Sequence, residues 1–329
     1  MLTVGIFSCK NDKPAEETAT LVQIKIPGFT ADSAYVFVEK QVAFGPRVPN
    51  TTAHQECKNW LVQKLEGFGA KVIEQNFEAK AYTGTVLKGV NIIGQFNPAA
   101  KKRIMLNAHW DSRHIADSKL STERRNEPIL GADDGGSGVA VLLEVARQLQ
   151  ANPIDMGVDI IFFDAEDYGE HKEEAAATQE AEMRSMETWC LGSQYWSKNL
   201  HVSGYKPKFG ILLDMVGAQN ARFPKEGFSM QIAPALVDKI WKLAKAMGYG
   251  NFFVDEQLSG GITDDHYFVA RNTGIPIIDI IHVSNKDGQT FGDHWHTQND
   301  NMNIIDKRTL KVVGQVVLAV VYKEAGGSF

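Results

Sequence analysis

Val158-Asp159-Ile160-Ile161-Phe162-Phe163-Asp164-Ala165-Glu166-Asp167 is a β-branched and aromatic run that closes on two adjacent acids. It is too short for an ordinary helix and reads as a buried strand over Val158–Ala165 that delivers Glu166 and Asp167 to its end. Working outward, similar runs occupy Val90–Phe96, Arg103–His109, Phe209–Val216 and Ile275–Ile281. Apolar residues at helical spacing fill Ala31–Ala43, His54–Phe68, Ser137–Gln150, Gly192–Asn199, Ala233–Met247, Asp264–Arg271 and Asp306–Glu324. Strands that alternate with helices predict a three-layer α/β/α sandwich on a mixed, mostly parallel central sheet. Its functional residues are expected beyond the carboxyl ends of the strands.

The chain has 329 residues, 43% of them hydrophobic and 22% charged, and no stretch reaches the roughly 18 apolar residues of a membrane span. We expect one catalytic domain over 31–329 behind a flexible tether over 1–30. With 34 Lys and Arg against 40 Asp and Glu, the net charge of −6 supplies no basic field for nucleic acid. Three cysteines, Cys9, Cys57 and Cys190, are too few for a disulfide framework, and none has zinc-finger spacing. Ser8-Cys9, after a short apolar start and before a polar run, looks like the end of a truncated bacterial lipoprotein signal. That reading predicts a lipid anchor on Cys9 and a periplasmic, membrane-attached protein. The Glu-rich segment 170–187 interrupts the strand–helix rhythm and is expected to be a surface insertion.

Acids and histidines gather just after the expected strands: His109 and Asp111, Asp133 and Asp134, Glu166 and Asp167, Asp214, and then His294 and His296 in the last long loop. Burying so many unpaired carboxylates costs several kcal/mol each, so their convergence points to a metal or a solvated cleft. Asp134, Asp167 and His296 supply the oxygen and nitrogen donors that a catalytic zinc uses while it keeps one position open.

Seven segments then carry a resemblance: Phe44-Gly45-Pro46-Arg47, Ala108-His109-Trp110-Asp111-Ser112, Gly131-Ala132-Asp133-Asp134, Phe163-Asp164-Ala165-Glu166-Asp167, Leu213-Asp214-Met215-Val216-Gly217, Asp264-Asp265-His266 and Trp295-His296-Thr297. In this order they resemble the animal-type glutaminyl cyclases and their bacterial relatives in the zinc-aminopeptidase clan. The resemblance implies one zinc per chain on Asp134, Asp167 and His296, with Glu166 as the acid/base. It also implies a hydrogen-bonded pair, Asp214 and Asp264, and an apolar glutamine pocket of Ile262, Phe291 and Trp295. Asp167 stands where the animal enzymes have Glu, and an aromatic wall of theirs is absent at Lys172, where Trp189 is the candidate substitute.

The implied reaction closes an N-terminal Gln of a peptide or protein, and by extension Glu, into pyroglutamate, releasing ammonia in the Gln case. The alternative is a two-zinc aminopeptidase, because His109 and Asp214 occupy the positions that bind a second metal there. Trp110, Asp264-Asp265-His266 and Trp295 belong to the cyclase pattern. An inactive lipoprotein that only binds peptide N-termini is a third reading, against which intact Glu166 speaks.

Overall fold

The computed structural model describes residue 1 and residues 24–171, 178–284 and 290–329. Cys9 and Lys172 lie outside these residues. Every expected strand and helix is present, shifted by a residue or two at its ends except for the second strand, which starts four residues earlier, at Val86. The six-stranded sheet runs β1(Lys71–Lys80), β2(Val86–Phe96), β4(Gly157–Phe163), β3(Arg103–His109), β5(Gly210–Asp214), β8(Ile277–Ile281). Pairing is antiparallel from β1 to β2 and β2 to β4, and parallel from β4 through β3 and β5 to β8. The expected sandwich on a mixed, mostly parallel sheet is the architecture found.

Strand side chains alternate faces, so adjacent apolar residues enter different cores. Ile92, Leu106, Ile160 and Ile278 join the core under α1(Ala31–Ala43), α3(Gly136–Ala151) and α9(Lys307–Ala325). Ile93, Met105, Ile161 and Ile277 face the opposite cluster, which includes Trp196 of α5(Leu191–Lys198) and Val269 of α8(Asp265–Thr273). A strand buried on both sides needs the continuous apolar runs seen in the sequence. Gly138 in α3 allows a close approach to β5, because a Cβ there would sit 2.2 Å from the Leu213 carbonyl oxygen.

Two sequence expectations change. The tether does not run to residue 30, since Phe29 is buried in the main core and its backbone N–H donates to Gln315 Oε1 at 2.9 Å. Strand β1 was not anticipated, because its charged residues place it at the sheet edge, half exposed, where no clean apolar run marks it. The Glu-rich insertion does contain a surface helix, α4(Gln179–Met186), with no buried residue.

Candidate functional site

The carboxyl ends of β4 and β5 present the Glu166-Asp167 pair and Asp214 to one cavity, and His109 ends β3 buried behind them. At the end of β4, Ala165 takes a left-handed backbone turn with φ of 52°. Asp164 holds that turn by accepting the N–H groups of Val90 and Ala165 at 2.6 and 2.8 Å, and by contacting His54 Nε2. Beyond it, Asp111 accepts from the backbone N–H groups of Glu166 and Asp167 at 3.1 and 3.2 Å. Asp111 thus fixes where the two acids point. His296 and Met215 also have positive φ, 54° and 48°, an uncommon and strained backbone for non-glycine residues that recurs around functional sites.

Asp134 is placed by a second carboxylate. Asp300 accepts from the N–H groups of Asp133 and Asp134 at 2.7 and 3.1 Å. Gly135 follows with φ of 85°, and a Cβ there would lie 2.5 Å from the Asp111 carbonyl oxygen and 2.9 Å from the His109 ring. Only glycine lets this turn pack so closely. Asp133 faces away and takes Gly217 N–H and His294 Nε2, at 2.7 and 2.9 Å. Neither Asp133 nor His294 belongs to the ligand cluster, although both stood among the clustered residues of the sequence.

Asp134, Asp167 and His296 do converge, each buried, with one donor atom apiece within 4.8 Å of the others. His296 Nε2 lies 3.0 Å from Asp167 Oδ1 and 3.7 Å from Asp134 Oδ2. Two ligand atoms on a tetrahedral zinc, each at the usual bond length, are separated by about 3.3 Å. Both Asp167 oxygens are buried without a hydrogen-bond partner among the described residues, despite the short contact to His296. Orphaned buried carboxylate oxygens are costly, and a cation between these donors would satisfy them. The site therefore fits a metal. The ring of His296 is held from behind by Asp117, whose Oδ1 is 3.2 Å from Nδ1, and Arg113 donates to both Asp117 oxygens at 3.1 and 2.6 Å.

A second trio, His109, Asp134 and Asp214, is equally compact. In it His109 Nε2 lies 3.0 Å from Asp134 Oδ1 and 3.2 Å from Asp214 Oδ1, within hydrogen-bond distance of both carboxylates. No hydrogen bond joins Asp214 to Asp264 among the described residues. Asp264 instead accepts from the N–H of Asp265 at 2.5 Å and lies beside Asp279, while still lining the same cavity as Asp214.

Glu166 borders the ligand trio. Burial pushes its carboxyl well above the ordinary value, and the negative charges of Asp264, Asp167 and Asp265 push the same way against His109. Cys190, buried, donates its thiol to Glu166 Oε1 at 3.1 Å. Burial likewise raises Asp167 to about 6 and Asp214 to about 8, although a bound dication would hold its own ligand ionised.

The cavity holds about 420 Å³ and is lined on its apolar side by Ile262, Phe291 and Trp295. Phe291 and Trp295 pack at 4.9 Å between ring centroids, and Trp295 stacks on His296 at 3.7 Å. Trp189 closes another side, its ring nearly parallel to His296 at 6.0 Å. Asp117, Asp300 and Cys190 escaped the sequence reading. Arg113 and Asp117 at i,i+4 spacing just after His109-Trp110-Asp111 were the one available signal.

Strand-end carboxylates and a loop histidine over a mostly parallel sheet define an exopeptidase-like α/β protein with a candidate metal centre. The chain belongs to peptidase family M28, whose family model matches residues 91–321. It is similar to Bacteroides thetaiotaomicron glutaminyl cyclase bound to N-acetylhistamine, with 52% identity, a TM-score of 0.85 and coverage of 91% of this chain and 99% of that one. A Zn-dependent exopeptidase from Parabacteroides distasonis is 49% identical with a TM-score of 0.85, again over 91% and 99% of the two chains. The glutaminyl-peptide cyclotransferase of Drosophila melanogaster is 26% identical over 312 residues, covering 85% of this chain and 78% of the relative.

Proposed function

We propose that this protein is a single-zinc glutaminyl cyclase, acting on peptides or proteins that begin with Gln. The observation that carries the reading is a buried carboxyl, Glu166, at the edge of the compact Asp134, Asp167 and His296 trio inside a partly apolar cavity large enough for a peptide end. Asp134, Asp167 and His296 would hold the metal, which when bound supplies Lewis acidity toward the side-chain amide oxygen.

The remaining work falls to the chain. Ile262, Phe291 and Trp295 enclose the aliphatic part of the glutamine side chain and exclude water. Substrate geometry already places the α-amine near its own side-chain amide, so proximity does much of the catalysis. Glu166 accepts the proton of the attacking amine and returns it to the departing ammonia, a double duty that its elevated proton affinity serves. Cys190 and the backbone bonds to Asp111 keep that carboxyl in place. Glu166→Gln keeps the shape but not the proton exchange, so turnover of a Gln-initiated peptide should fall roughly 10²–10⁴-fold while zinc content stays unchanged. Full activity in that variant would end the proposal.

The two-metal aminopeptidase reading rests on the compactness of His109, Asp134 and Asp214. The similarity to glutaminyl cyclases, at 52% identity to the Bacteroides thetaiotaomicron enzyme, favours the cyclase reading over it.

A further inference from the structure

The cavity is acidic at its floor, where Asp134, Glu166, Asp167, Asp214 and Asp264 meet, and apolar along one wall. Its lining contains a single Lys or Arg among the described residues, Lys119. Lys119 is exposed and has no acidic partner among the described residues. It therefore does not serve to neutralise the buried acids.

Its base is nevertheless rigid. Ser118 donates its N–H to the His296 carbonyl at 3.2 Å, and Ser121 donates to the Ser118 carbonyl at 3.0 Å, closing a turn around Lys119. One residue earlier, Asp117 is pinned by Arg113 and lies against His296. The ammonium thus swings from a fixed point beside the candidate metal ligand, in a protein whose net charge is −6. A substrate that buries its terminal amine and glutamine side chain near Glu166 must lead its remaining residues out past the rim.

We infer that Lys119 is a specificity-determining residue that reads a carboxylate one or two positions after the N-terminal Gln. That carboxylate is either an Asp or Glu side chain or the C-terminus of a di- or tripeptide. The inference rests on the glutaminyl cyclase reading and names its preferred substrate class. An exposed ion pair contributes about 0.2–1 kcal/mol, so the preference should be about 1.5- to 5-fold in kcat/KM, carried by KM, and should shrink in high salt.

The test compares Gln-Glu amide, Gln-Ala free acid, Gln-Ala amide and Gln-Lys amide on the wild type, Lys119→Ala and Lys119→Glu. For the wild type, Gln-Glu amide and Gln-Ala free acid should both exceed Gln-Ala amide, and Gln-Lys amide should fall below it. These ratios should collapse to about 1 in Lys119→Ala and invert in Lys119→Glu. A gain confined to Gln-Glu amide assigns the side-chain source, and one confined to the free acid assigns the C-terminal source. Ratios that are already 1 in the wild type, or that survive Lys119→Glu unchanged, overturn the inference while leaving the cyclase reading intact. Failure to cyclise all four peptides overturns the cyclase reading, and this inference with it.

Discussion

Individual donors decide whether the site takes one metal or two, and two histidines are the discriminating pair. His296 belongs to the Asp134 and Asp167 trio proposed to hold the metal, whereas His109 belongs to the second trio with Asp134 and Asp214. Removing a ligand should lower metal affinity, and removing a neighbour that only orients the site should have a much smaller effect. His296→Ala is therefore expected to lose most of its zinc after dialysis, and His109→Ala to keep about one zinc per protein molecule, measured by atomic emission. Equal loss in both variants would favour the two-metal site. The convergence of Asp134, Asp167 and His296 was legible in the sequence because each follows a β-rich run or sits in a short polar motif, whereas the role given to Glu166 came from the resemblance. Asp300 was not, since its role lies in accepting N–H groups from residues 166 and 167 positions away along the sequence.

Elements matter through the side chains that tie them together, and Glu226 joins more of them than any carboxylate of the ligand trio. Capping α6(Gly227–Ile232), it accepts from the N–H groups of Phe228 and Ser229 at 2.8 and 2.6 Å. It also accepts from Ile262 N–H in the pocket wall at 2.7 Å and contacts His266 Nε2 of α8 at 3.0 Å. Burial works to raise its carboxyl, but the bonds from His266 and the backbone prevail and bring it down to about 2. A carboxyl held below its unfolded value of 4.5 gives stability that is complete above that pH and is lost as the pH falls through about 2. The contribution at neutral pH is on the order of 3 kcal/mol. Urea unfolding should show the wild type weakening between these pH values, while Glu226→Gln starts less stable at pH 7 and changes less in that window. An unchanged pH profile in the variant would contradict this. The long buried elements could be read from sequence because both faces of the central strands demand apolar residues. Strand β1, helix α4 and the short pair β6(Phe223–Lys225) and β7(Phe253–Gln257) could not, because solvent or loop contacts, rather than an apolar period, specify them.

For the molecule as a whole, one architecture in this family serves both exopeptidase and cyclase chemistry, so the fold leaves the reaction open. The site narrows it through Glu166 and the Trp295–Phe291 wall. Both candidate reactions begin from the same N-terminal Gln and diverge in their products. Cyclisation breaks the carbon–nitrogen bond of the glutamine amide and retains every residue. Peptide hydrolysis breaks the first backbone amide and frees glutamine. The most direct measurement incubates the zinc-loaded protein with Gln-Ala amide and identifies the products by mass and by ammonia assay. Pyroglutamyl-Ala amide and one equivalent of ammonia, with no free glutamine, is the outcome predicted here; free glutamine and Ala amide would contradict it.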